Sequence, residues 1–217
     1  VTKYDITYIA DEVVTGFGRL GHWFSSENEF GIIPDIIIFA KGVTSGYMPL
    51  GGYAVSDKFL DGFVGENADG CSYLNGYTWS GNPVACAAGL ASWDIIENEG
   101  LLKHVKEIAP YFQQQLRTLK DIPLVGDVRG AGLMAAVEMT SKADNETELL
   151  EKDFAVGEMV DAYCQQFGLV VRPFINICII SPPLIITKPQ IDDLVGIMRK
   201  GLELTLADLR SQGVCVN

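Results

Sequence analysis

The sequence predicts an α/β protein: a mainly parallel sheet with helices on both faces, followed by a smaller α+β part. Three observations carry this reading. Ile6 to Ala10, a short apolar, β-branched run, and Ile36 to Ala40, a wholly apolar one, are of strand length and stop at Asp11-Glu12 and Lys41-Gly42, as buried parallel strands do. Helical apolar periods follow from Pro83 to about Leu119. After Val125 the texture changes to short alternating strands and two further helices.

The elements follow in chain order. Gly52 to Val55 is a third short strand after the glycine-rich stretch Gly42 to Gly52. Asn82-Pro83 opens a helix, because Asn caps free amides and Pro lacks the amide that would go unpaired. Its run of Ala and Gly keeps the surface low, for close packing, and Gly100 ends it. Leu101, Val105, Ile108, Phe112, Leu116 and Leu119 mark one face of the next helix. Val125 to Gly132 reads as a glycine-punctuated turn before a strand with Leu133, Ala135, Val137 and Met139 on one face. Ser141 to Asp153 reads as an exposed connection. A helix carrying Val156, Val160 and Cys164 then ends at Gly168. Short strands are expected around Val170 to Arg172 and Cys178 to Ser181. Thr187-Lys188-Pro189-Gln190 reads as a capping box for a last helix reaching about Leu209. A domain boundary is expected near residues 100 to 115, dividing the chain into 1–105 and 106–217.

The 217 residues carry 16 Lys+Arg and 28 Asp+Glu, a net charge of −12. That charge repels a phosphate backbone and argues against nucleic acid as partner. The apolar runs are far too short to span a membrane. The five cysteines form no CxxC pair, so neither a disulfide framework nor a zinc site is indicated, and a reducing cytoplasm fits. Cys86 and Cys164 fall within apolar helical patterns and read as core residues. Cys71 and Cys215 carry no motif.

Asp11 and Lys41 stand at the ends of two strands. In open α/β sheets ligands sit outside the carboxyl ends of the strands. An acid and a lysine there suit a cofactor with a cationic ring nitrogen at one end and an aldehyde at the other, which is pyridoxal phosphate. A strand-end cap and a solvated lysine would leave the same letters. Gly16, Gly18 and Gly21 spell a dinucleotide fingerprint, but five residues separate them from the strand and no helical period follows. Thr78 precedes a helix N-terminus, where phosphate binds readily, although a plain cap reads the same way.

Together, IADEVVTGFGR, DIIIFAKGVTSGYMPLGG, YTWSGNPVACAAGLA, PLVGDVRGAGLMAAVE and IISPPLIIT resemble class III aminotransferases of the pyridoxal-phosphate fold type I. TSGYMPLGG and RPF…IISPP further resemble the omega-amino-acid:pyruvate branch. The resemblance implies a PLP-dependent transaminase working by ping-pong half-reactions from an amine or omega-amino acid to a keto acid such as pyruvate. It implies that Lys41 forms the Schiff base and shuttles the proton, that Asp11 binds the pyridine nitrogen and that Val13 packs on the ring. Thr78 would contact the phosphate across a homodimer interface. Arg172 would clamp a substrate carboxylate, and Trp23 would line the substrate side. Asn82 stands where the branch often has His. Residues 1–105 would be the C-terminal part of the large domain and 106–217 the small domain. Family members place a substantial segment before the first strand, so the chain is expected to be the C-terminal half of a longer enzyme. The alternatives are a non-catalytic fragment, or a class III relative using 2-oxoglutarate or acting as an aminomutase.

Overall fold

The computed structural model describes residues 2–60, 63–64, 74–140 and 146–214. Cys71, Cys215 and the start of the expected connection, residues 141–145, lie outside them. The chain forms two compact units, Val1–His104 and Val105–Asn217.

In the first unit, β1 (Ile9–Asp11) and β2 (Ile36–Phe39) pair in parallel, and β3 (Gly52–Val55) adds antiparallel to β2. The strand β1 begins three residues later than its apolar run, because its partner begins only at Ile36. Ahead of the pairing, Tyr8 N–H donates to the Asp35 carboxylate at 2.8 Å. Ala10 is buried, whereas Ile9, Ile38, Tyr53 and Val55 are exposed; strand alternation puts these four on one face of the sheet. Between β1 and β2 lies α1 (Ser25–Asn28), and α2 (Asp57–Leu60) follows β3.

The helix α3 (Pro83–Asn98) starts where Asn82-Pro83 predicts, with Asn82 Oδ1 accepting from Val84 and Ala85 amides at 3.0 and 3.2 Å. It ends at Gly100, which takes the left-handed φ of +64°. Its buried line is Ala85, Gly89, Ser92 and Ile96. Cys86 is exposed, not a core residue as expected. The helix is apolar on several sides, so its pattern does not single out the buried one.

The second unit has a wholly antiparallel sheet in the order β4 (Val125–Ala131), β5 (Met134–Met139), β7 (Ile177–Ile180), β6 (Arg172–Phe174). Around it lie α4 (Leu101–Arg117, which begins in the first unit), α5 (Glu146–Gln166) and α6 (Lys188–Ser211). Val105, Phe112, Leu116, Leu133, Val137, Val160 and Met198 form one core with 0% exposure. Burial of each such side chain contributes about 1.5–3 kcal/mol. The capping position of α6 is as expected, with Gln190 Oε1 accepting the Thr187 amide at 2.9 Å.

Three local expectations change. The stretch from Val125 is strand β4, not a turn. Its glycines serve close strand approach, since a Cβ on Gly126 would lie 2.5 Å from Thr140 Cγ2 and one on Gly130 would lie 2.2 Å from the Met134 carbonyl oxygen. The connection expected to run to Asp153 becomes helix at Glu146. The strands expected at Val170 to Arg172 and Cys178 to Ser181 lie instead at Arg172–Phe174 (β6) and Ile177–Ile180 (β7), because they pair as a hairpin in which Phe174 meets Ile177, leaving the turn to Ile175 and Asn176. Ile175 takes φ +57°, which is rare for a β-branched residue.

Candidate active site

The site is built on the two parallel strands of the first unit. Asp11 closes β1 opposite Ile38 of β2, and Lys41 follows β2 after Ala40. Both residues therefore stand at carboxyl ends of adjacent strands, which run about 4.8 Å apart. Both are exposed. Asp11 Oδ1 accepts the Val13 amide at 3.0 Å, so the carboxylate and the half-buried Val13 are set as one turn.

Lys41 has φ +45°, a left-handed conformation outside glycine, and it opens a 3₁₀ turn to Thr44. Such backbone costs on the order of 1–3 kcal/mol and persists only where its surroundings over-determine it. Here they do. Gly46 N–H donates to the Lys41 carbonyl at 3.1 Å, and Thr44 Oγ1 donates to the Met48 carbonyl at 2.6 Å. From α3, Trp93 Nε1 donates to the Val43 carbonyl at 3.1 Å, and the Ser45 and Ser92 hydroxyls meet at 2.7 Å. Gly42 allows Phe17 beneath the turn, since a Cβ there would lie 2.9 Å from the Phe17 Cβ. Phe17 in turn contacts the rings of Trp23, Phe24, Phe39 and Trp93 at centroid distances of 5.4 to 6.4 Å. An aromatic floor and a helix thus hold the lysine's backbone, while its side chain is left exposed.

Trp23 lies half-buried in that aromatic cluster, 6.0 Å from the Trp93 ring. The glycines of the fingerprint-like stretch make a tight loop, with Phe17 N–H donating to Trp23 O at 2.7 Å and Gly18 N–H to His22 O at 2.9 Å. Only the four-residue α1 follows, so no helix N-terminus faces a dinucleotide. Thr78 is exposed in the turn that precedes Asn82 and α3.

Arg172 belongs to the second unit. It is exposed at the start of β6, and with Val170, Ile179 and Asp193 it lines a cavity of about 810 Å³. The same unit buries two thiols, Cys164 and Cys178, whose pKa values burial pushes up to about 11 and about 12. They are packing groups, not nucleophiles. Among the described residues no cluster of His, Cys, Asp and Glu could hold a metal, and no helix is long and apolar enough to cross a membrane.

The sequence reading missed Glu12, Ser92 and Trp93. Alternation along β1 was the available signal for Glu12: if Asp11 faces out, the next residue faces in. No comparable signal marks Ser92 or Trp93, which act by contacts made across the fold.

The family model for aminotransferase class-III matches residues 1–202. The chain belongs to the class-III aminotransferases. It is 41% identical over 208 residues to a putrescine–pyruvate aminotransferase of Pseudomonas aeruginosa, covering 95% of this chain and 44% of that one. It is 37% identical over 217 residues to the mitochondrial gamma-aminobutyrate transaminase 1 of Oryza sativa, covering 98% and 41%. Among solved structures, a thermostable (S)-enantioselective omega-transaminase from Thermomicrobium roseum superposes with a TM-score of 0.80 at 37% identity, covering 96% of this chain and 44% of that one. This class-III aminotransferase chain thus spans less than half the length of these relatives.

Proposed function

We propose that the protein to which this chain belongs is a pyridoxal-phosphate-dependent transaminase that moves an amino group from an amine or omega-amino acid to a keto acid, pyruvate in the first instance. The observation that carries the proposal is the pair Asp11 and Lys41, exposed at adjacent parallel strand ends, with the lysine backbone held in a left-handed turn. An exposed carboxylate one strand away from an exposed primary amine fits that cofactor. When bound, it supplies an aldehyde for amine condensation and a ring that takes up the electron pair freed at the substrate α-carbon.

The chain's own residues then have separable roles. The Asp11 carboxylate would keep a proton on the ring nitrogen, and Val13 would pack against the ring. Lys41 Nζ would hold the aldehyde end of the group and, as a free amine, would take up and give back the proton of the substrate α-carbon. Thr78 donates to a phosphate in the site of the second protomer of a homodimer. Arg172 offers its planar fork to a substrate carboxylate, and Trp23 lines the substrate side. Residues 1–105 serve as the C-terminal part of the cofactor domain and 106–217 as the small domain. A reducing compartment, the cytoplasm, suits the free Cys86, Cys164 and Cys178.

The relative whose name includes pyruvate supports that acceptor. The gamma-aminobutyrate transaminases support a second reading in which the donor is an omega-amino acid of that kind. The test is a half-reaction on the full-length enzyme. Putrescine alone should give one equivalent of carbonyl product per site, and pyruvate added after the putrescine has been removed should give one equivalent of alanine. Alanine formed only when both substrates are present together would contradict the proposal.

A further inference from the structure

Glu12, the residue after Asp11, is a carboxylate with 2% exposure. Its Oε1 accepts the Ser25 amide at 2.9 Å, the Ser26 amide at 2.7 Å and the Ser26 hydroxyl at 2.6 Å. Its Oε2 accepts the Ser25 amide at 2.8 Å and the Thr15 hydroxyl at 3.1 Å. The main chain is tied as well: Glu12 N–H donates to Ile38 O of β2 at 2.8 Å, and Gly16 N–H donates to Glu12 O at 3.0 Å. Four donors converge on two oxygens, an arrangement that suits a group with acceptors only. The helix α1 has no side-chain cap of its own at Phe24, so Glu12 supplies it from a distance.

The segment 13–24 therefore leaves Glu12 and comes back to it. Within the loop lie Val13, whose amide sets the Asp11 carboxylate, and Phe17, which seats the Lys41 turn through Gly42. Trp23 stands near its return end, joined to Phe17 by a 2.7 Å main-chain bond. Alternation turns Asp11 outward and Glu12 inward, so neighbouring carboxylates divide the work between ligand and scaffold. We propose that Glu12 is a positioning residue for the cofactor site, fixing the aim of Asp11 and Val13 by closing this loop on itself. The proposal rests on the pyridoxal-phosphate reading above. If Glu12 only capped a four-residue helix, its loss would lower stability and leave the site's affinity unchanged.

The test uses the full-length enzyme with Glu12→Gln and Glu12→Asp. A Gln keeps the shape but turns an NH₂ toward the amide and hydroxyl donors. The readouts are the Kd for pyridoxal phosphate by equilibrium dialysis, amide exchange at Val13 and Trp23, and the melting temperature. Glu12→Gln should weaken cofactor binding by about tenfold or more, the range seen when groups that orient a ligating side chain are removed. Exchange at Val13 should quicken with it, and Glu12→Asp should recover part of both. A lower melting temperature with unchanged Kd and unchanged Val13 exchange would overturn the positioning role. If the wild-type enzyme binds no pyridoxal phosphate, the functional reading falls instead, which the wild-type Kd reports separately. Should Glu12→Gln not fold, Ser26→Ala carries the test, because it removes one hydroxyl donor and leaves the carboxylate its amide partners. It should weaken cofactor binding by about threefold with the circular dichroism unchanged, and an unchanged Kd there would also overturn the proposal.

Discussion

Replacing Gly157 by Ala should destabilise the second unit, although alanine is the better helix former. Gly157 is buried in α5, and its amide donates to the Ile175 carbonyl at 3.0 Å. A Cβ at Gly157 would lie 2.3 Å from that same oxygen and 3.3 Å from the Ile175 carbonyl carbon. Real Cβ contacts do not fall under 3.0 Å, so the hairpin must retreat by about 0.7 Å or more. It has little room to adapt, because Ile175 already takes φ +57° and the Asn176 side chain donates to the Met139 carbonyl at 2.7 Å. Overpacking of this kind costs about 1–3 kcal/mol, and weakening the amide bond adds about 1 kcal/mol. Helix propensity returns about 1 kcal/mol. The net expectation is a loss of about 1–3 kcal/mol, read as a lower urea midpoint by far-UV circular dichroism. The hairpin also carries Arg172, so the KM for a keto acid should rise in the full-length enzyme. A midpoint unchanged or raised, as propensity alone requires, would refute the reasoning.

Other expectations concern single groups. Burial pushes the Cys178 thiol from its ordinary 9.0 to about 12, so the unfolded chain gives up this proton at lower pH than the folded one. Stability should therefore fall as pH rises above about 9, and Cys178→Val should reduce that slope. Iodoacetamide at pH 8 should modify Cys86, which is exposed, well before Cys164 or Cys178; peptide mapping that finds all three equally reactive would contradict the burial. Asn82→Ala removes the acceptor for two amides of α3 and should cost about 1 kcal/mol. Trp23, Trp79 and Trp93 all lie in the first unit, so tryptophan fluorescence reports it directly.

The parts of the fold that could be read from the letters share a property: one local rule decided them. Asn82-Pro83 marked a helix start because capping is settled within three residues. Ile36 to Ala40 marked a strand because a wholly apolar run that short has few other uses. The misread parts needed a partner to decide them. Gly126 and Gly130 make a strand because a neighbouring strand leaves no room for a Cβ, and a glycine in a turn is written the same way. The turn at Ile175 contradicts its own residue type and is held from a distance, by the Gly157 amide on the Ile175 carbonyl and by the Asn176 side chain on the Met139 carbonyl. Cys86 sits on a helix apolar on several sides, so no period distinguished its exposed side. Asp11 and Lys41 were legible as strand ends. Of the anchors that hold their backbones, Glu12 had only the alternation of β1 to mark it as inward-facing, and its partners lie 13 residues along the chain, while Trp93 reaches Val43 from 50 residues away with no local signal.

In the proposed function Lys41 is the amine that holds the cofactor. Borohydride reduction of the full-length enzyme with pyridoxal phosphate, followed by peptide mass mapping, tests that directly. A single phosphopyridoxyl tag on the peptide containing Lys41, lost in Lys41→Ala, is the predicted result. A tag on another lysine with Lys41 unmodified would contradict the assignment.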